Sequence, residues 1–173
     1  MPRENALPST ISLIGMPGAG KSTVGVVLAK LARLAFNDTD LEIQILAGAT
    51  LQEIVDSRGH VALRALEEEI LLAVPLQGSV IATGGSVVYS DRIMQRLQQA
   101  GPVVYLEVSL PTLEARVAAA PPRGIASDAD HSYADIFEER TPLYRRYADI
   151  TVTGEGRNSQ EVAMAILARL RGG

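Results

Sequence analysis

Residues 15–23 read GMPGAGKST, and this stretch decides the fold of the 173-residue chain. It matches the pattern G-x-x-x-x-G-K-S/T at every fixed position. The stretch follows a short apolar run, Ile11–Ile14, and precedes a segment with helical periodicity over residues 22–34. A glycine-rich turn between a strand and a helix binds phosphate, because its N–H groups point inward and the helix N-terminus adds about half a positive charge. A full match in this context favours a nucleotide phosphate site over a chance glycine-rich turn.

The loop residues have separate predicted roles. Lys21 brings a positive charge to the outer phosphates, and the Ser22 hydroxyl is a ligand of the kind that Mg²⁺ prefers. Thr23 adds a further phosphate contact. The loop therefore predicts an ATP site with Mg²⁺ as the associated metal. Its predicted ATP-binding residues are Gly18, Ala19, Gly20, Lys21, Ser22 and Thr23.

The bulk composition limits the functions that surround this site. The net charge is −4 and 47% of the residues are hydrophobic, which is typical of a globular chain without a basic field for nucleic acid. The chain has no cysteine, which excludes thiolate chemistry, and His60 and His131 lack metal-ligand spacing. No membrane span or signal peptide is apparent. We expect one cytoplasmic, monomeric domain over residues 1–173, with no nucleic-acid or membrane partner.

Strand-like and helix-like segments alternate along the chain. The alternation predicts a parallel sheet with helices on both faces and ligands beyond the carboxyl ends of the strands. Pro142 should bend or interrupt its helix, and Gly25 in the first helix indicates a close approach by another element. The predicted strands are residues 11–14, 35–38, 79–83, 103–108 and 150–152. The predicted helices are residues 22–34, 41–47, 51–56, 61–74, 91–100, 111–120, 133–147 and 159–171.

Polar residues and glycines follow two of the predicted strands. Asp38 and Asp40 come directly after the second strand, where they suit a magnesium shell and the activation of a hydroxyl. The alternative is that one of them caps the next helix. Gly84 and Gly85 follow the third strand, where they either let a substrate approach the backbone or form a tight turn. The phosphate site one strand away favours function for the two aspartates, whereas the two interpretations of the glycines are compatible with each other.

Two arginines are candidates for binding an anionic acceptor. Arg64 lies in a helix with Glu67 three positions on, which suits a guanidinium held in place to bind a carboxylate. The alternative is a surface pair between Arg64 and Glu68. Arg140 lies in an arginine-rich helix over residues 138–147, which is either functional or simply solvated.

The segment over residues 118–132 differs in character from the rest of the chain. It contains two prolines before Arg123 and two acidic residues, Asp128 and Asp130, after it, and its composition does not suit a core. It is either a plain surface loop or a mobile lid that carries an arginine.

These features, in this order, resemble the shikimate kinase family. The resemblance runs from about residue 11 to the last helix. It implies a three-layer α/β/α P-loop NTPase fold with a five-stranded parallel sheet of order 2-3-1-4-5. It also implies transfer of the ATP γ-phosphate to the 3-hydroxyl of shikimate, in aromatic amino-acid biosynthesis. The matching stretches are residues 15–23, 38–40, 59–64, 84–85, 140–144 and 148–149.

The resemblance also implies roles on the acceptor side, in a region over about residues 37–66 and beyond. Asp40 resembles the residue that binds the ring hydroxyls and acts as the base. Arg64 and Arg140 resemble the carboxylate clamp, and Gly84 with Gly85 resembles the backbone that contacts the substrate.

On the nucleotide side, Lys21 is implied as catalytic, and Asp38 resembles an acid that reaches the magnesium through water. Arg123 falls where the family has its lid arginine, within a lid over residues 118–132. Arg157 falls near a position that contacts ATP.

Two departures from the family pattern keep other functions open. Ser86 replaces a third glycine, and residues 124–126 differ from the usual lid sequence. The alternatives are a kinase for another hydroxy acid, such as a gluconate-like sugar acid, and a catalytically weak metabolite-binding regulatory domain.

Overall fold

A computed structural model describes residues 7–122, 124–125, 128 and 130–172. Within these residues, five parallel strands form one sheet in the order β2-β3-β1-β4-β5, which confirms the order implied by the resemblance. The strands are β1 (Ile11–Ile14), β2 (Ala35–Asp38), β3 (Ser79–Ala82), β4 (Val103–Glu107) and β5 (Ile150–Thr153). The helices are α1 (Lys21–Ala32), α2 (Thr39–Ala47), α3 (Leu51–Ala73), α4 (Asp91–Ala100), α5 (Leu110–Ala119), α6 (Tyr133–Tyr147) and α7 (Ser159–Arg171), with a 3₁₀ turn at Val87–Tyr89.

The central strand of the sheet, β1, and its neighbour β3 are buried on both faces. Every residue of β1 and β3 is buried. Successive side chains of a strand point to opposite faces, so complete burial requires cover on both sides of the sheet. Ser12 of β1 lies between Ile81 of β3 and Val103 of β4. The loops that follow these strands therefore emerge side by side at one edge, and this edge carries the site.

A glycine lets α1 lie close to the sheet. A Cβ at Gly25 would be 2.5 Å from Cε2 of Phe36 in β2 and 3.4 Å from Cδ1 of Leu13 in β1. The element that approaches Gly25 is therefore β2, through the aromatic ring of Phe36. The close packing fixes the helix that follows the phosphate loop against the strand that leads to Asp38.

Two predictions about helix continuity meet different outcomes. The helices predicted at residues 51–56 and 61–74 form one segment, α3, with a break at Gly59, whose φ is 81°. Pro142 was predicted to bend or interrupt its helix, and the interruption is wrong, because α6 runs through it from Tyr133 to Tyr147. Arg140 and Tyr144 are buried on either side of the proline. We attribute the continuity to this packing, which offsets one missing N–H donor.

Several helices begin with local hydrogen bonds that the sequence encodes. Capping boxes join Thr50 with Glu53 in α3, Ser132 with Asp135 in α6, and Asn158 with Glu161 in α7. Each satisfies backbone N–H groups that the first turn leaves without partners. In the described part of the chain, no helix combines the length and apolarity that crossing a bilayer requires.

Candidate active site

The loop between β1 and α1 has the backbone of a phosphate cradle. Gly18 and Gly20 have φ values of 88° and 94°, in the left-handed region that favours glycine. At Gly15, a Cβ would be 2.9 Å from the carbonyl oxygen of Leu106 in β4. The glycines therefore serve both the turn and its packing against the sheet.

Lys21 is folded back over this loop. Its side chain is buried, and Nζ donates to the carbonyl oxygens of Gly15 at 2.7 Å and Met16 at 2.9 Å. A buried ammonium group requires such partners, because burial without them costs several kcal/mol. The lysine charge is thus held within the loop where phosphate is expected.

One cavity joins the phosphate loop to the acceptor candidates. It has a volume of about 180 Å³ and lies between the loop, the start of α2, the end of β3 and α6. The structure therefore brings together residues that the sequence separates by more than a hundred positions. The predicted site residues that line it are Gly18, Gly20, Lys21, Ser22, Thr23, Asp40, Gly85 and Arg140.

Asp38 and Asp40 have different environments. Asp38 caps α2, and its Oδ1 accepts from the N–H groups of Asp40 at 3.0 Å and Leu41 at 3.4 Å. The capping alternative is therefore confirmed for Asp38. It also lines a neighbouring cavity of about 440 Å³ with Ser22 and Asp40, so capping does not remove it from the site.

Among the predicted arginines that the structure describes, Arg140 is the most deeply buried, with 1% exposure. Its Nε donates to the hydroxyl of Tyr89 at 3.2 Å. A Cβ at Gly85 would be 3.0 Å from Nη1 of Arg140, so glycine is needed where the guanidinium meets the β3 loop. Tyr144, one turn further along α6, donates from its hydroxyl to the Gly85 carbonyl at 2.5 Å.

Glu67 is a buried carboxyl group beside the acceptor candidates. Its Oε1 would lie 2.3 Å from a Cβ at Gly84, and Oδ1 of Asp40 would lie 3.2 Å from the same point. The hydroxyl of Ser86 donates to its Oε2. Burial raises the pKa of Glu67 to about 7, and the Ser86 hydrogen bond and the nearby arginines oppose this rise. The two carboxyl groups are thus electrostatically coupled.

Arg64 is not among the residues that line the central cavity. It lines an adjoining cavity of about 340 Å³, and Glu67 and Ser86 form part of the wall of both. Its guanidinium carbon lies 4.3 Å from the centroid of the Tyr89 ring. The structure therefore places Arg64 next to the acceptor candidates, with its charge over an aromatic face.

A further pocket adjoins the outer side of the phosphate loop. It has a volume of about 210 Å³, and its lining includes Ala19, Thr23 and Arg157. Arg116 of α5 also lines it, and its Nη1 donates to the carbonyls of Gly18 at 3.3 Å and Ala19 at 3.4 Å. Arg157, which was predicted to contact ATP, thus lies beside the phosphate loop, and Arg116 lines the same pocket.

Two described residues of the segment predicted as a lid contact α3. Arg123 lies outside the described residues. Its neighbour Gly124 packs on the backbone of Leu51, where a Cβ would be 2.3 Å from the carbonyl oxygen. Further along, Asp128 pairs with His60 of α3 at 3.0 Å. These contacts connect the segment to the acceptor side of the molecule.

Comparison with known proteins identifies the family. The family model described as "Shikimate kinase" matches residues 17–171. A curated shikimate kinase of Pseudomonas putida is 38% identical over 162 residues, which cover 92% of this chain and 94% of the relative. The chain belongs to the shikimate kinase family.

Solved structures of shikimate kinases agree with this assignment. The enzyme of Acinetobacter baumannii, solved in complex with shikimate, has a TM-score of 0.83 and 31% identity over 95% of this chain and 94% of its own. The enzyme of Aquifex aeolicus has a TM-score of 0.80 and 31% identity over 94% and 96%. The resemblance that the sequence suggested is therefore confirmed for both family and fold.

Two side chains near the acceptor candidates make contacts that the sequence analysis did not predict. Tyr89 contacts both arginines, and no sequence motif marked it. Ser86 was noted only as a departure from the family's glycine, whereas its hydroxyl binds Glu67. The sequence did not predict the 3₁₀ turn at Val87–Tyr89. This turn places residues three positions apart, such as Ser86 and Tyr89, on the same side.

Proposed function

We propose that this chain transfers the γ-phosphate of ATP to the 3-hydroxyl of shikimate. One observation carries the proposal: the phosphate loop and the acceptor candidates Asp40, Gly85 and Arg140 line the same cavity. Membership of the shikimate kinase family supports the choice of acceptor. The relative from A. baumannii was solved with shikimate bound, which supports it further.

We assign the acceptor-binding roles as follows. Asp40 binds ring hydroxyls and accepts the proton of the attacking hydroxyl, because it lies in the cavity shared with Lys21. Arg140 and Arg64 bind the carboxylate, and Gly84 and Gly85 let the ring approach the backbone. An acceptor carboxylate would form charge-assisted hydrogen bonds with these guanidinium groups, which favours a hydroxy acid over an acceptor without a carboxylate.

The nucleotide roles fall on the loop and its surroundings. Lys21 stabilises the charge that develops on the transferring phosphoryl group, since phosphoryl transfer depends mainly on positioning and electrostatics. Gly18, Ala19, Gly20 and Thr23 bind phosphate, and Arg157 contacts ATP from the adjoining pocket. Arg123 is assigned to the lid, over residues 118–132, as the arginine that meets the phosphate during transfer.

The oxygen donors present fit Mg²⁺. Ser22 and Asp38 line one cavity, and Mg²⁺ commonly takes one or two protein oxygens, with waters and substrate phosphates completing its shell. No group of three metal-ligating side chains occurs among the described residues, which agrees with a metal held largely by the nucleotide. Ser22 would bind the ion directly and Asp38 through water. When bound, Mg²⁺ neutralises phosphate charge.

We further propose that the protein acts as a monomer in the cytoplasm. The candidate residues for both substrates lie in one chain, so the proposed site is complete without a second copy. We treat acceptor region, phosphate loop and lid as parts of one domain.

A coupled ADP-release assay tests the proposed function. It contains ATP, Mg²⁺ and shikimate, beside reactions with gluconate and with no acceptor. We expect turnover that depends on shikimate and on Mg²⁺. Turnover with gluconate instead would support the sugar-acid alternative. ATP binding without turnover on any acceptor would support a regulatory domain.

A further inference from the structure

We propose that Tyr89 is a positioning residue that holds both arginines of the acceptor clamp. The inference rests on the proposed function, since it concerns the same acceptor site. It adds a residue that touches neither reacting atom and acts through Arg64 and Arg140.

The contacts of Tyr89 converge on the two guanidinium groups. The guanidinium carbons of Arg64 and Arg140 lie 4.3 Å and 5.2 Å from the ring centroid. The Tyr89 hydroxyl accepts from Nε of Arg140 at 3.2 Å and donates to Oε1 of Glu139 at 2.5 Å. One side chain thus contacts both cations, one of them through ring and hydroxyl together.

These contacts counter the repulsion between two neighbouring cations. An aromatic face attracts a guanidinium electrostatically, and the attraction strengthens as water is removed. Tyr89 is partly buried and Arg140 is buried, so the cations are only partly screened by solvent. Tyr89 therefore fixes the spacing of the two cations before the acceptor carboxylate arrives, which lowers the cost of ordering them on binding.

The 3₁₀ turn at Val87–Tyr89 explains how one short element reaches the whole clamp. The N–H of Tyr89 donates to the carbonyl of Ser86 at 3.1 Å. Residues three apart in a 3₁₀ helix lie on the same side, so Ser86 and Tyr89 project together. Ser86 binds Glu67 while Tyr89 contacts the arginines.

Steady-state kinetics of Tyr89→Leu and Tyr89→Phe in the full chain tests the proposal. Leucine removes the ring face, and phenylalanine removes only the hydroxyl. We expect the KM for shikimate to rise about tenfold in Tyr89→Leu and about threefold in Tyr89→Phe. The KM for ATP should stay within about twofold. Tyr147→Phe is the control, because it removes a tyrosine hydroxyl that binds Asp91, and neither residue lines the two cavities next to the clamp.

A double-mutant cycle tests whether Tyr89 acts through Arg64. Tyr89→Leu should raise the shikimate KM less in an Arg64→Ala background than in the wild type, since the contact is already lost. An equal rise in both backgrounds, or a parallel rise in the KM for ATP, would overturn the proposal. An unchanged KM in both Tyr89 variants would overturn it as well.

Calorimetric titration of shikimate separates this proposal from the proposed function. A wild type that binds shikimate without turnover contradicts the function, and the change in Kd in the variants still tests Tyr89. A wild type that neither binds nor turns over shikimate contradicts both. If the wild type turns over shikimate normally and the Tyr89 variants have an unchanged KM and Kd for shikimate, only the role of Tyr89 is contradicted.

Discussion

At the scale of single residues, Glu67 illustrates how burial and neighbours set a charge. Burial is the largest influence on this carboxyl group and raises its pKa, and the nearby Asp40 adds to the rise. The hydroxyl of Ser86 favours the ionised form and limits the effect. The residue that replaces a family glycine therefore has a chemical role here, in keeping Glu67 closer to its charged state.

The first prediction concerns the free energy of unfolding as a function of pH. The pKa of Glu67 rises from 4.5 to about 7 on folding, so the folded protein binds more protons than the unfolded one between these values. The stability contributed by this group is therefore present below pH 4.5 and lost as the pH rises towards 7, by an amount on the order of 3 kcal/mol. Glu67→Gln should lose this dependence.

Urea unfolding of both proteins at pH 5 and pH 8 measures the effect. Wild type should lose stability relative to Glu67→Gln as the pH rises. A constant difference between the two proteins would mean that Glu67 titrates normally.

A second prediction at this scale compares the two lysines of α1. Lys21→Ala should reduce turnover by roughly two to three orders of magnitude, because it removes a charge from the phosphate loop. Lys30→Ala, at the exposed last turn of the same helix, should leave turnover within about twofold. Circular dichroism establishes that both variants fold. Near-normal activity of Lys21→Ala would remove the assignment of this lysine.

At the scale of elements, the packing of α1 on β2 gives a third prediction. Alanine favours a helix interior over glycine by about 1 kcal/mol, so helix propensity alone would make Gly25→Ala stabilising. The new Cβ would instead meet the ring of Phe36 at 2.5 Å. We expect net destabilisation of about 1 to 3 kcal/mol, as for other overpacked cores.

A second substitution tests whether contact with Phe36 causes the destabilisation expected in Gly25→Ala. Phe36→Leu combined with Gly25→Ala should be more stable than the sum of the two single changes implies, because the smaller side chain leaves room for the methyl group. Denaturant unfolding of the four proteins gives the coupling energy. Strict additivity would place the strain elsewhere.

Elements also show what the sequence could and could not predict. The first strand, the loop and α1 were predicted together. The motif at residues 15–23 agrees with the apolar run before it and with the helical period after it. The break at Gly59 was visible as a gap between two helical patterns. The passage of α6 through Pro142 was not, since it depends on contacts made by Arg140 and Tyr144 with distant segments.

The site was predictable to a similar degree. Motif and resemblance identified Asp40, Gly85 and Arg140, which line the cavity with Lys21. Tyr89 could not be found in this way, because its partners lie in α3 and α6 and only folding brings them together. The adjoining position of Arg64 likewise depends on three-dimensional packing rather than on spacing.

At the scale of the whole molecule, segments far apart in the chain form one binding region. The phosphate loop follows β1, Asp40 begins α2 and Arg140 comes from α6, all meeting at one edge of the sheet. The pair between His60 and Asp128, at 3.0 Å, joins the acceptor side to the segment predicted as a lid. Ligands bound here should therefore stabilise the entire fold.

The fourth prediction is a thermal shift by nucleotide. ADP with Mg²⁺ at about 100 times its Kd should add about 2.7 kcal/mol of stability, because it binds only the folded chain. For a domain of this size this corresponds to a rise in Tm of about 5 to 10 °C. Lys21→Ala should reduce the shift at equal ligand concentration. A full shift in that variant would mean that the lysine does not contact nucleotide.

The position of Lys21 has a consequence for the release of product. In the structure its ammonium group donates to the carbonyls of Gly15 and Met16. In the role proposed for Lys21, phosphate oxygens of an incoming nucleotide would replace these two carbonyl oxygens as acceptors of its hydrogen bonds. When ADP leaves, the ammonium group of the lysine would again donate to these two carbonyl oxygens, so its buried charge would keep hydrogen-bond acceptors. We expect the two carbonyl groups to lower the free-energy cost of releasing ADP, because they satisfy the ammonium group once the phosphates have left.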